Sequence, residues 1–378
     1  MFAEATTYPV IIILQKGLTQ KPLNYVFIHN DGLQPPDIAA IQPVIAGQNA
    51  ITRGVWPLLT TDNKLLDKLS YNSVTLGDIA ERIFQGLVTS ADKVYILEKR
   101  VELADGKVRA YSRSLAREIE LEKALLKPLL MGDDIERYRY PVPAKLLLFP
   151  YKIDNDKAEL ITAQEFISSY PLCWQYLLDN RKVLENREHG KMKHENWYAY
   201  VYPKSLALHD KPKLLTGVLA KKSRFTSDNE GIFYFMGGGN AGGYGITLKS
   251  TTKEAPLYIL GLLNSNLLDF NLKKISSPFR GGFFSYAQRY IERLPIRQID
   301  FDNPSEKTTH NKLVTLIEKM LELNKKLVPI QALYSRERDE LIKQIEMTDK
   351  EIDKLVYNLY GLNEEECRIV EASVVNLV

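Results

Sequence analysis

The sequence predicts an α+β protein of mixed short strands and helices with a helical C-terminal segment, and three observations predict it. Between Lys213 and Lys249 the apolar runs KLLTGVL, GIFYFMG and YGITL are short and separated by glycine-rich turns, as strands are. From Ser73 onward, strand-like runs alternate with stretches that carry helix-start signals. Near the C-terminus, Leu313, Leu316, Ile317, Met320, Leu323 and Leu327 share one helix face at i, i+3, i+4 and i+7. The 378 residues suit two or three domains, and 45% hydrophobic with 26% charged residues excludes a disordered or collagenous chain.

Taken in order, FAEATTYPVIIILQKG reads as a run into a buried strand, because five successive apolar residues suit a strand covered on both faces. A chain seldom begins with its central strand, so the body of that domain is expected upstream. Leu18 to about Tyr71 carries PP, NDG and RG punctuation, which predicts short strands and loops in a connector. VTLGDIAERIFQGLVTSADKVYILEKR predicts a short helix from Leu76, a turn at Gly86 and a strand KVYIL, with the loop QGLVTSAD presented between them. LEKALLKPLLMGDDIERYRY predicts a helix closing at Gly132, and LLLFPY a strand ended by Pro150. Thr162 and Glu165 have capping-box spacing, and Pro171 is placed to open the next helix. LYILGLLNSNLLDFNLKK resumes helical spacing. Thr348 with Glu351 predicts a second capping box, followed by the stripe Ile352, Leu355, Val356 and Leu359 and a C′ glycine at Gly361, and Asn363 with Glu366 caps one further helix. The expected divisions are 1–72 (tail of an upstream domain plus connector), 73–300 (the α+β region) and 301–378 (the helical segment).

Most familiar chemistry is missing. Phe235-Met236-Gly237-Gly238-Gly239 matches FxGxG formally, but the glycines Gly242, Gly243 and Gly245 and a strand follow it, so it reads as a turn and not a cofactor cradle. No [DN]PP[YF] clamp for a flipped adenine exists; the PP at Pro35-Pro36 lies between Gln34 and Asp37. Pro36-Asp37 with Asp62-Asn63-Lys64 satisfies a loose PD-(D/E)xK nuclease pattern, but its second half reads as a turn entering a helix, not a buried strand. His29, His189, His194, His209 and His310 lack metal-ligand spacing and read as surface residues, and no GxSxG or CxxC occurs. Cys173 and Cys367 lie far apart without a secretory signal, which predicts reduced thiols. The apolar run Val10–Leu14 is far short of the ~20 residues a membrane helix needs, so no membrane partner is expected and the expected compartment is the cytoplasm.

What remains is binding. Val201–Asp300 holds 14 Lys and Arg against 7 Asp and Glu, whereas Phe301–Val378 holds 11 against 15. A localised positive field is the footprint of a polyanion partner, although a solvated face is the bland account. Lys221, Lys222 and Arg224 fall in a turn between two strands; Lys273, Lys274 and Arg280 surround the loop SSPFRGGFFSYAQRY. Gly281 and Gly282 let backbone approach a partner closely beside the Arg280 guanidinium, while Phe283, Phe284 and Tyr286 supply apolar surface or ordinary core. Asn240 and Gln288 have the side-chain amide that pairs with an adenine edge, and Arg224 and Arg280 the guanidinium that pairs with guanine.

Several blocks in order resemble one family. VTLGDIAERIFQGLVTSADKVYIL, LLKPLLMGDDIERY, LLNSNLLDFNLK, FRGGFFSYAQRYIERLPIR and DKEIDKLVYNLYGL are similar to successive blocks of the TaqI-like C-terminal specificity domain of type IIG restriction and modification enzymes and related adenine-N6 DNA methyltransferases. FAEATTYPVIIILQKG resembles the last strand region of their catalytic domain. The resemblance implies sequence-specific binding of double-stranded DNA by loops of this region, with S-adenosylmethionine and Mg²⁺ serving the complete enzyme and no cofactor or metal on this chain. The upstream cofactor fold, its NPPY and a nuclease domain are missing from this sequence, so catalysis is expected from a catalytic methyltransferase or nuclease subunit or from parts of a longer chain. The alternatives are a complete small DNA-modifying enzyme and a helical protein-interaction scaffold. Base readout is expected from the loop Gln85 to Lys93, through Gln85, Thr89, Ser90 and Lys93, from Lys221–Arg224 and from Arg280–Gln288. The acidic C-terminal helices are expected to face away from phosphate.

Overall fold

The computed structural model describes residues 63–375 and two paired three-residue strands, Leu23–Tyr25 and Val44–Ala46. The run FAEATTYPVIIILQKG, Pro35–Asp37, Asp62 and His29 lie outside the described residues. Asn63–Leu69 is a helix, in accord with a turn entering a helix there. Among the described residues no helix is long and apolar enough to cross a membrane.

Two sheets organise an α+β fold. The larger runs, strand by neighbouring strand, Tyr234–Phe235, Leu126–Leu130, Lys145–Leu148, Ile96–Glu102, Lys107–Ser112 and Arg117–Glu122, antiparallel throughout except for its first pair. Leu97, Leu121, Leu129 and Leu147 from this sheet share one core with Phe166 and Leu177 of the helices Ala163–Ser169 and Pro171–Asp179. The smaller sheet is fully antiparallel in the order Phe225–Asp228, Lys213–Gly217, Gly243–Leu248, Ala80–Gln85. It shares one core with helices Pro256–Asn264, Asn266–Ile275, Pro304–Leu327 and Arg336–Leu359. Phe84, Leu130, Leu215 and Phe235 come from both sheets and pack together, so one apolar bridge fixes the two.

Local signals explain most elements. Thr162 caps Ala163–Ser169 by accepting from the Glu165 N–H, and Pro171 occupies the first turn of Pro171–Asp179. The face of Leu313, Leu316, Ile317, Met320, Leu323 and Leu327 is wholly buried, and the helix starts at Pro304, where the Asn303 side chain caps it. Gly361 has φ +67° as a C′ residue, and Asn363 and Glu366 cap Glu364–Val375 reciprocally at 2.8 and 2.9 Å.

Four expectations are corrected. The stretch predicted as a helix closing at Gly132 is instead a strand, Leu126–Leu130, between two single 3₁₀ turns. Pro128 is the reason: inside a helix it would cost about 3 kcal/mol, whereas here only Leu129 and Leu130 meet the outer neighbour, leaving Pro128 at an open edge. Thr348 starts no helix; it lies inside Arg336–Leu359, donates its hydroxyl to the Gln344 carbonyl, and Ser335 is the cap. KVYIL is split, with Asp92–Tyr95 a helical turn and the strand beginning at Ile96. His209 and His310 are buried, unlike exposed His189 and His194. Burial and the Lys213 ammonium pull the His209 imidazole down to about 3, so it is neutral. Cys173 is a buried free thiol and Cys367 a half-buried one.

A polar joint ties the C-terminal helices to the rest. Arg137 donates to both Asp349 carboxylate oxygens at 2.8 and 2.6 Å and to the Asn264 carbonyl, while Asp353 accepts from the Asn266 N–H and side-chain amide at 2.8 and 2.6 Å. Burial, then the neighbouring Asp349, pushes the Asp353 carboxyl up to about 6. Between the ordinary value of 3.8 and about 6 the folded chain therefore binds the extra proton, so this site loses stability as pH rises through that window. Asp353→Asn should remove that penalty, because its oxygen can keep the Asn266 N–H and, once the Asn266 amide turns over, its NH₂ can donate to Asn266 Oδ1, which is buried without a partner. We expect the variant to match or exceed the parent chain at pH 7.5 by on the order of 1–3 kcal/mol, with the difference vanishing near pH 4. Urea titrations of both chains at the two pH values check this; a variant less stable at pH 7.5 contradicts it.

Candidate nucleic-acid interface

Five loops are joined into one surface by backbone hydrogen bonds. The Gly86 N–H donates to the Gly243 carbonyl at 3.2 Å, Leu87 to Phe235 at 2.9 Å, and Gly237 back to Leu87 at 2.7 Å. Gly132 donates to Ala241 at 2.8 Å, Val218 to Gly242 at 2.9 Å, and Tyr286 to Val218 at 2.8 Å. The loops around 85–93, 131–134, 216–224, 236–243 and 276–288 are thereby fixed relative to one another. Glycine makes the approach possible at Gly86 and Gly132, where an added Cβ would overlap the Phe235 and Gly242 carbonyls respectively. The FMGGG segment is thus a connector that carries the chain from the larger sheet to the smaller, with Gly237 packed on Gly86. The predicted turn is present, and it joins a strand of one sheet to a strand of the other.

The predicted binding residues fall in two groups on this surface. The first surrounds the 85–93 and 236–243 loops: Gln85, Lys93 and Asn240 are exposed and Ser90 is half-buried at φ +57°. Thr89 is different. It is fully buried, its hydroxyl donates to Asp92 at 2.5 Å and accepts from the Ala91 N–H, and its carbonyl accepts from Arg187. Its hydroxyl is committed to shaping the loop.

The second group surrounds a three-stranded sheet of Leu219–Ala220, Phe283–Ser285 and Pro278–Phe279. Lys221, Lys274, Arg280, Gly281, Gly282 and Gln288 are exposed. Lys221 stands 5.5 Å over the Phe283 ring, Lys273 5.7 Å over Phe284 and Lys274 5.1 Å over Phe270. Gly281 and Gly282 take φ +79° and +76°, which the turn requires. Lys273 is paired with buried Asp269 at 2.5 Å, so much of its charge is neutralised within the fold. Lys222 is half-buried 4.0 Å from Asp349, and burial pulls its ammonium down. Arg224 donates to the Leu219 carbonyl at 2.7 Å and lies 3.3 Å from exposed Asp133, which orients it along the loop. Of the aromatics, Tyr286 is core, its hydroxyl donating to Asp269 at 2.7 Å, while Phe283 and Phe284 are half-buried.

Sequence reasoning missed three residues. Asp133, the acid beside Arg224, lay just past the predicted helix end at Gly132 and was given no role. Phe279 is 37% exposed at the hairpin tip, and its position next to Arg280 was the available signal. Arg187, which braces the 85–93 loop from almost a hundred residues away, left no local signal.

Residues 127–296 match the TaqI-like C-terminal specificity domain family, which bears out the resemblance read from the sequence. Over 336 residues, 85% of the chain, the protein is 28% identical to the type II restriction enzyme and methyltransferase RM.Eco57I of Escherichia coli. The chain spans about a third of that relative's length, 33%.

Proposed function

We propose that this chain is the target-recognition part of a restriction-modification enzyme with adenine-N6 methyltransferase and endonuclease activity. It binds double-stranded DNA through the five joined loops. The observation that carries the reading is the convergence of exposed Lys93, Lys221, Lys274 and Arg280 with exposed amides of Gln85, Asn240 and Gln288 on one rigid surface of a specificity domain. Cations that track phosphate give affinity, and amides or arginine on fixed loops give base choice. In this reading Lys222 adds to the positive field, Arg224 is a guanine reader, Gly281 and Gly282 admit close backbone approach, and Thr89 and Lys273 hold their loops in shape. Residues 73–300 form the recognition region and 301–378 a helical brace or the dock for a catalytic subunit.

Two observations support placing S-adenosylmethionine and Mg²⁺ elsewhere: neighbouring backbone fills the space at Gly237 and Gly86, and among the described residues no three His, Cys, Asp or Glu side chains are placed to hold a metal ion. We assign both groups, with methyl transfer and cleavage, to other parts of the complete enzyme.

A salt titration of binding to duplex DNA tests the reading. With about six phosphates contacted, log affinity against log salt should fall with a slope near −5. Lys221→Ala and Lys274→Ala should each flatten it by about 1 and weaken all sequences alike, whereas Arg280→Ala should also relax base preference. A flat titration, or no binding at low salt, would favour a protein-interaction scaffold.

A further inference from the structure

We propose that the hairpin tip at Phe279–Gly282 enters the minor groove of duplex DNA, where Phe279 wedges against a base step and Arg280 lies along the groove. The inference rests on the reading above that the loop surface binds DNA, and adds a deformation of the DNA to it.

Phe279 pairs with Phe283 and Pro278 with Phe284, so only Arg280, Gly281 and Gly282 make the turn. Two of the three lack a side chain, which leaves a thin tip suited to a groove about 6 Å wide that excludes a helix. The base of the hairpin is rigid. Ser276 donates to the Ser285 carbonyl, Ser285 donates its N–H to Ser277, Leu219 pairs with Ser285, and the Tyr286 hydroxyl reaches Asp269. Phe283 and Phe284 are covered by Lys221 and Lys273, whereas Phe279 is 37% exposed and directly precedes the exposed Arg280, an apolar side chain next to a cation where the strand enters the turn. Charge selects the occupant: from Phe270 to Ile291 the sequence holds Lys273, Lys274, Arg280 and Arg289 and no acidic residue, so the segment stays positive even with Lys273 paired to Asp269. An apolar protein partner would gain nothing from those cations; a polyanion would. Apolar side chains inserted at a base step unstack it and kink the duplex, and arginine is drawn to the negative potential of a narrow minor groove.

The test uses the full chain and a duplex selected from a random-sequence pool by binding to it, labelled with a fluorescent donor and acceptor at its two ends. Binding of the parent chain should raise energy transfer as the ends approach. Phe279→Ala should return transfer to the level of free duplex while affinity falls by no more than about tenfold, and Phe279→Leu should keep the bend. Binding without a change in transfer, or a bend retained by Phe279→Ala, would overturn the wedge and leave the recognition reading intact. Failure to select any duplex would overturn both. Thermal unfolding should be unchanged by either variant, since the tip is exposed.

Discussion

Arg187→Met should lower the unfolding free energy by about 3–5 kcal/mol, as read by urea denaturation. The guanidinium is buried and donates to four backbone carbonyls: Leu184 at 2.8 Å, Thr89 at 3.2 Å, Trp197 at 2.6 Å and Ala199 at 2.9 Å. It also lies 5.6 Å over the Tyr95 ring. Methionine fills similar space but leaves those carbonyls without the donor in a dry interior. Lysine should not rescue, because a point charge cannot reach four acceptors spread around a planar fork. The local backbone supports the size of the effect. Glu188 and His189 directly after Arg187 sit at φ +47° and +59°, each costing roughly 1 kcal/mol or more, so the anchor outweighs that strain. Because Thr89 belongs to the 85–93 loop, base preference should loosen in any folded remainder. A change below about 1 kcal/mol would show that water replaces the guanidinium.

Asp228→Ala should be comparably severe, about 3–5 kcal/mol by the same measurement. Asp228 is buried in the smaller sheet, accepts from Lys213 Nζ at 2.5 Å, and also accepts the Ile232 and Phe233 N–H groups at 3.1 and 3.0 Å. Its loss strands a buried ammonium that retains only the His209 and Lys211 carbonyls. Replacing both partners, as Lys213→Met with Asp228→Leu, should recover part of the loss, since the charge is gone but two buried N–H donors remain unpaired. Full recovery would mean that the ion pair alone, and not the turn it organises, carries the effect.

The C-terminal helices were legible because six apolar residues repeat at a period that only a helix satisfies, and every one of them is buried. The stretch from 121 to 140 was not. Its leucines fit either periodicity, and what settles it is Pro128 at a sheet position opposite a short neighbour, which is tertiary information. The second capping box failed for a related reason: Thr348 and Glu351 have the spacing, but a polar run upstream already held the helix, started by Ser335. In the loops, the basic window was legible while its internal neutralisation was overlooked. Asp269 stands four residues before Lys273, the spacing of a helical ion pair, and could have been read. The brace by Arg187 could not, since it ties the preceding helix end at Leu184 to Trp197 and Ala199 and to the distant Thr89. Nor could the joining of five loops, which depends on carbonyls meeting glycines across two sheets.

The central claim is that duplex DNA lies on the joined loops and away from the C-terminal helices. Photo-crosslinking tests it most directly: the full chain is bound to duplexes carrying photoreactive bases, irradiated, digested, and the attached peptides identified by mass spectrometry. The account predicts attachment within 85–93, 221–224, 236–243 and 273–288 and none within 304–375. Attachment concentrated on the helices Pro304–Leu327 and Arg336–Leu359 would contradict it and move recognition to the helical segment.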